Sequence, residues 1–336
     1  MNKEPIFQVK RLSKQYEKGQ RYAVQKVSFE LYEGEFLTIV GESGSGKTTL
    51  LKMLAGRLDM TQGQIMFEGE LILGPSYQLM VGLKEVKLVN QDFELFPYHT
   101  VEEVLEYEIR LWDEKEKGKQ IRRLLRMVGL YKDRKRKAIT LSGGMQQRLA
   151  IARALVSEPK VILFDEPFSQ LDAPRRLELR KLIKEVVLEL ETSVIFVTHD
   201  INDTLPLSDR IIVFKEGKIE QVDTPYEIYH TPKNEYVARL FDEGVYLEAK
   251  EAGEWLQKLG DEFVEIEQRN VFLRPEIISP SKKSSIKAKI SKKEFYGSYY
   301  RYELDLCGKT LTMKCLYFID EDEINIEIHR DKIIFI

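Results

Sequence analysis

Cysteine is scarce: the 336 residues hold two, Cys307 and Cys315, without His or Cys neighbours at metal-ligand spacing. This excludes a disulfide-stapled scaffold and favours a reducing compartment. Long apolar runs are missing as well. The longest uncharged stretch, Leu71 to Leu83, falls short of the ~20 residues that span a bilayer, and the opening MNKEPIFQVKRL lacks the apolar core of a signal peptide. The sequence therefore predicts a cytoplasmic chain that crosses no membrane by itself. Nor does charge of one sign dominate. Against 55 Asp and Glu stand 52 Lys and Arg, a net −3, which removes any global electrostatic reason to bind nucleic acid.

What is present suits a globular protein: 43% hydrophobic and 32% charged residues, in a chain long enough for a large domain and a smaller one. Three short apolar runs read as strands buried on both faces: FLTIV (36–40), VILF (161–164) and VIFV (194–197). Each ends in polar residues, the first in GESGSGKTT, the others in Asp165-Glu166 and Thr198-His199-Asp200. In open α/β sheets that edge binds ligands, so the three clusters imply one shared site. Between them, residues 92–159 read as an inserted helical lobe. Thr100 and Glu103 form a capping box ahead of Val101, Val104, Leu105, Leu111 and Trp112. A second helix carries Ile121, Leu124, Leu125 and Val128 and stops at Gly129, and Ser142 caps a third. Lys215-Glu216-Gly217-Lys218 signals a hairpin, and alternation beyond residue 268 predicts a small β-barrel or sandwich.

The chemistry concentrates in few residues. Gly41, Gly46, Lys47 and Thr48 satisfy G-x-x-x-x-G-K-[ST], with Glu42, Ser43, Gly44 and Ser45 inside the loop and Thr49 after it. Its backbone N–H groups can turn toward phosphate oxygens, Lys47 can reach the β- and γ-phosphates, and the Thr48 hydroxyl can ligate Mg²⁺. Asp165 is placed to hold the metal and Glu166 to polarise an attacking water. Ser142, Gly143, Gly144, Met145 and Gln146 open a helix as a second phosphate cradle, distant from the first. One nucleotide has no use for two cradles on one chain. A head-to-tail dimer resolves this, the cradle of one subunit closing over the nucleotide of the other.

In this order, GESGSGKTT, Gln91 in VNQDF, LSGGMQQR, VILFDEP, Ser169-Gln170-Leu171-Asp172 and Thr198-His199-Asp200 resemble the ATP-binding subunits of ABC transporters. The resemblance covers about Phe7 to Leu240 and implies an α/β P-loop core with the helical subdomain inserted, using ATP and Mg²⁺. It implies that Gln91 is a metal- and water-sensing glutamine, His199 a γ-phosphate contact, Asp172 a dimer-interface aspartate and Tyr16 the adenine-stacking aromatic. Met145 stands where the family often has glutamine, and Pro206 interrupts the segment after His199. Residues 241–336, through Arg274-Pro275-Glu276 and FYGSYYRYELDLCGKTLTM, resemble the all-β, OB-like TOBE domain of sugar, polyamine and iron(III) importer ATPases. The implied protein is an importer motor at the cytoplasmic face of the plasma membrane. Its partners would be a second copy, two permease subunits and a solute-binding protein, with no nucleic acid expected. The alternative is a soluble ABC ATPase acting on nucleic acid or ribosomes through the basic run between Lys115 and Lys137.

Overall fold

A computed structural model describes residues 4–17, 19–78, 82–90, 95–168, 171–259 and 269–336, and the chain divides into two compact units, Met1–Pro225 and Tyr226–Ile336. The first unit runs β1 (Pro5–Lys14), β2 (Val24–Tyr32), β3 (Phe36–Val40), α1 (Lys47–Leu54), β4 (Gln62–Phe67), β5 (Glu70–Leu71) and β6 (Val86–Val89). It continues through α2 (Val101–Glu108), α3 (Glu114–Met127), α4 (Gly143–Leu155), β7 (Val161–Asp165), α5 (Ala173–Glu189), β8 (Ser193–Thr198), α6 (Ile201–Leu207), β9 (Arg210–Lys215) and β10 (Lys218–Asp223). Six strands form one sheet, ordered β10-β9-β3-β8-β7-β6, and four form an antiparallel sheet, ordered β2-β1-β4-β5.

The three apolar runs are β3, β8 and β7, parallel neighbours in that order. Every residue in them is buried, because a strand covered on both faces needs apolar side chains on both. Alternate residues serve different layers. Leu37, Ile39, Leu163 and Ile195 pack with α1 and the antiparallel sheet, whereas Phe36, Phe164 and Phe196 pack with the helices of the lobe and α5. Parallel pairing brings the carboxyl ends of these strands to one edge, where Gly41, Asp165 and Thr198 lie.

The lobe follows its capping signals. Glu103 N donates to Thr100 Oγ1 at 3.3 Å while Thr100 N donates to Glu103 Oε2 at 2.7 Å, a complete capping box. At the end of α3, Gly129 adopts φ +72°, and Leu130 N and Gly129 N reach Leu125 O and Arg126 O at 2.8 and 3.1 Å, satisfying the last carbonyls in a Schellman motif. Ser142 caps α4 by accepting from Met145 N. One expectation is corrected: α2 stops at Glu108, and Leu111 and Trp112 lie outside it. Asp113, which caps α3 through Lys115 N and Glu116 N, starts a separate helix. In the β9–β10 hairpin Glu216 and Gly217 both have positive φ, as a type I′ turn requires.

The second unit carries α7 (Pro225–His230), which straddles the division, then α8 (Glu235–Phe241), β11 (Val245–Leu247), α9 (Ala249–Gln257), β12 (Val271–Leu273), β13 (Ile278–Pro280), β14 (Lys287–Phe295), β15 (Tyr300–Leu306), β16 (Lys309–Cys315), β17 (Glu323–Ile328) and β18 (Ile334–Phe335). Its sheets are ordered β11-β12-β18 and β13-β17-β14-β15-β16. In the larger one, Cα atoms of the terminal strands β13 and β16 come within 8 Å, so the sheet curls toward closure. The region is not purely β: α9 packs Ala252, Trp255 and Leu256 into the core, and Trp255 Nε1 donates to Leu306 O at 2.9 Å. The division also falls ahead of residue 240. Buried Arg274 donates to Tyr229 O at 2.7 Å and Ala238 O at 3.4 Å, with its guanidinium 3.6 Å from the Tyr229 ring centre, which ties α7 and α8 to the second unit.

Candidate nucleotide site

The loop between β3 and α1 is held by backbone on both sides. A Cβ on Gly41 would overlap the carbonyl oxygen of Phe214 in β9, and one on Gly46, whose φ is +106°, would overlap that of Ala23. Only glycine fits at these two positions. Ser45 N donates to Glu42 O at 3.2 Å, closing the turn, and Gly217 N donates to Ser45 O at 2.8 Å. Lys47 is buried at the head of α1, and its Nζ donates to Gly41 O and Glu42 O, each at 2.8 Å, and to Ser45 Oγ at 3.4 Å. Burial lowers its pKa, opposed by the negative charges of Glu166 and Asp165. The loop thus holds one cation at the head of α1, where side-chain-free glycines leave the backbone open, a fit for phosphate oxygens. Glu42, Ser43, Gly44 and Thr48 are exposed and Thr49 is half-buried.

Across the edge, Thr48 Oγ1 donates to Asp165 Oδ1 at 3.1 Å. Burial raises the Asp165 pKa, the Thr48 bond counteracts it and Glu166 adds to it. A hydroxyl beside a carboxylate offers the hard oxygen donors Mg²⁺ takes when phosphates and water fill its other positions. Glu166 follows with φ +48° and donates its backbone N–H to Val197 O at 3.0 Å. A non-glycine residue there costs about 1 kcal/mol or more, and the conformation aims its carboxylate at His199, whose Nδ1 lies 3.0 Å from Glu166 Oε2. Tyr16 lies in the bend after β1 rather than in a strand, 58% exposed, with its hydroxyl 3.1 Å from Thr49 Oγ1. One open face of the first unit therefore gathers Tyr16, the phosphate loop, Asp165, Glu166 and His199.

The other predicted residues lie elsewhere. Ser142, Gly143 and Gly144 begin α4, and a Cβ on either glycine would meet nothing within 4 Å. Gln146 turns away to donate to Ala138 O at 3.1 Å. Asp172 caps α5 by accepting from Arg175 N at 3.0 Å. Among the described residues no hydrogen bond or ion pair joins Ser142, Gly143, Gly144, Gln146 or Asp172 to the phosphate loop. Gln91, Ser169 and Gln170 lie outside the described residues.

Four supporting residues escaped the sequence reading. Phe214 supplies the carbonyl wall against Gly41. Buried Gln147 donates to Pro167 O, tying α4 to the segment after Glu166. Arg176 of α5 pairs with Asp200, next to His199, while Arg180 reaches buried Asp203 at 3.1 Å. A cation in α5 and a carboxylate at or in α6, separated by the whole of β8, leave no local signal. The paired glutamines of LSGGMQQR offered one for Gln147, since a glutamine on the buried side of a helix needs a partner.

The profile of the ABC transporter family matches residues 24–169. Among solved structures, cbiO1 from Clostridium perfringens, part of the ABC transporter complex cbiONQ, is 30% identical with a TM-score of 0.62, over 67% of this chain and 91% of its own. The ATP-binding cassette MJ0796, solved as a dimer in a post-hydrolysis state with ADP and Pi, is 32% identical with a TM-score of 0.57, over 65% of this chain and 98% of its own. With the phosphate loop, the acidic strand end and the facing histidine on one edge, and with these likenesses in fold and sequence, the chain belongs to the ABC transporter family, as an ATP-binding subunit that hydrolyses ATP.

Proposed function

We propose that two copies pair head to tail, each phosphate loop opposed by the Ser142–Gly144 cradle of the other, and that the pair drives import through two permease subunits supplied by a solute-binding protein. The observation that carries this reading is the pair of open cradles on one chain, the loop at Gly41–Thr49 and the unobstructed start of α4. Neither completes a nucleotide site alone. Lys47 and the loop N–H groups bind the triphosphate, Tyr16 stacks on the adenine, and Thr48 and Asp165, with Gln91, hold Mg²⁺. When bound, the metal neutralises charge on the phosphate oxygens. Glu166 accepts the proton of the attacking water, and His199 orients that carboxylate and faces the γ-phosphate. Gly143, Gly144, Gln146 and Asp172 belong to the interface.

No helix among the described residues is long and apolar enough to cross a membrane; in this reading the translocation path belongs to the permease subunits and this chain sits peripherally at the cytoplasmic face. The curled sheet β13-β17-β14-β15-β16 supports an OB-like, TOBE-type reading of the second unit, in keeping with an importer.

Complementation tests the pairing. Lys47→Ala and Ser142→Arg should each abolish hydrolysis, by removing the phosphate cation and by blocking closure. Mixed, they form heterodimers with one complete site, and hydrolysis should return to on the order of a quarter of the original rate. Absence of both mixed dimers and rescue would refute the head-to-tail arrangement. Membrane proteins copurifying with the chain, and the solute that stimulates their ATPase rate, would identify the cargo.

A further inference from the structure

Helix α3 is two-sided beyond what its packing requires. Ile121, Leu124, Leu125 and Val128 point into the core and are buried. On the opposite face Lys115, Lys119, Arg122 and Arg126 recur at i, i+4, i+7 and i+11, within an arc of about 60° and along ~16 Å of helix. All four are exposed. Among the described residues Lys115, Lys119 and Arg122 have no ion-pair partner, while Arg126 lies over the Tyr131 ring, 4.9 Å from its centre. Exposed Lys132 and Lys137 follow. From Glu114 to Lys137 there are eleven Lys and Arg against three acids, in a chain whose net charge is −3. Positive charge is therefore concentrated in this segment of the sequence against an acidic remainder.

An exposed apolar residue precedes the stripe in sequence, four positions before Lys115. Leu111, two positions before the Asp113 cap, is 87% exposed, and Trp112 beside it is half-buried. A cationic face preceded in sequence by an unburied leucine matches a surface that is anionic outside and apolar beneath.

We propose that this face of the helical lobe rests on a bilayer rich in anionic phospholipid, with Lys115, Lys119, Arg122 and Arg126 over the headgroup phosphates and Leu111 at the acyl boundary. The proposal depends on the transporter reading, which brings the chain to a membrane. It adds a lipid contact of the ATPase subunit itself. Nucleic acid would match the charge and leave Leu111 without a role, and an acidic protein loop would match it without needing a rigid stripe.

Flotation of the full chain with vesicles tests it. Binding is expected to vesicles of equal parts phosphatidylglycerol and phosphatidylcholine and not to phosphatidylcholine alone, and to weaken as salt shortens the Debye length. Each cation near an anionic surface contributes about fivefold. The triple variant Lys115→Glu, Lys119→Glu, Arg122→Glu should therefore lose more than tenfold, and the corresponding Gln variant should fall between it and the parent. Leu111→Ser should weaken binding while leaving its salt dependence unchanged. All variants should keep solution ATPase activity, which separates failure of this proposal from failure of the transporter reading. No preference for the anionic vesicles, or undiminished binding by the Glu variant, would overturn it. So would charge-dependent binding of RNA or an acidic polypeptide without vesicle binding.

Discussion

Glu166 sits under two constraints at once: a left-handed backbone that disfavours its side chain and a 3.0 Å contact that fixes it against His199. Strain of this kind is tolerated where a group must be aimed. Glu166→Gln keeps the shape and removes the base. ATP binding should persist, turnover should fall by about 10²- to 10⁴-fold, and an ATP-bound dimer should accumulate on size exclusion. Near-normal turnover would remove Glu166 from that role. Glu35 shows the opposite use of a carboxylate. Its buried side chain accepts from Tyr32 N at 2.8 Å and Arg210 at 3.0 Å, yet desolvation outweighs both and raises its pKa. As pH rises through about 4.3 the unfolded chain releases this proton first, so its contribution is full below that value and is lost as pH climbs through the raised folded pKa. Urea midpoints of Glu35→Gln without nucleotide should decline less across that window, and curves parallel to the parent's would contradict this. Residues of the first kind were legible in sequence because phosphate binding dictates glycines and acids at fixed spacing. Arg176 and Phe214 were not, since their partners come from distant segments.

Helices with complete terminal chemistry were legible as elements: the Thr100–Glu103 box, the Ser142 cap and the Gly129 stop all form as read. The run to Trp112 was misjudged because hydrophobic spacing continued past Glu108 while the backbone did not. Strands β1 and β2 left weaker marks. Arg11 and Lys26 adopt φ +47° and +50° and the pairing shifts register between Val9 and Leu12, so bulges break the two-residue alternation by which a strand is recognised. At Gly129 the cost of a wrong residue is conformational. An added Cβ would meet Arg148 no closer than 3.5 Å, but φ is +72°. Gly129→Ala should therefore cost about 1–2 kcal/mol, read from urea unfolding, with nucleotide affinity unchanged. An unchanged midpoint would show that the Schellman turn can be replaced.

At the scale of the molecule, a boundary near residue 240 was expected because the family resemblance ended there. The structure's division at Pro225 follows burial: Arg274 and Phe272 recruit Tyr229 and Ala238 across a stretch of sequence that no periodicity joins. The described cores of the two units have no residue in common, and every nucleotide-site residue proposed above precedes Pro225. Binding to the native first unit stabilises it by RT ln(1 + [L]/Kd), about 2.7 kcal/mol at a hundredfold excess over Kd. The second unit gains nothing directly. The chain's two tryptophans report on the two cores separately, Trp112 packed against the lobe core and Trp255 buried against Leu306. In Trp255→Phe, fluorescence follows the first unit, and saturating ATP with Mg²⁺ should move its thermal midpoint upward. In Trp112→Phe the signal from Trp255 should stay in place under the same conditions. Equal shifts in both would mean that the units unfold as one cooperative body, so that nucleotide energy reaches the C-terminal sheets as well.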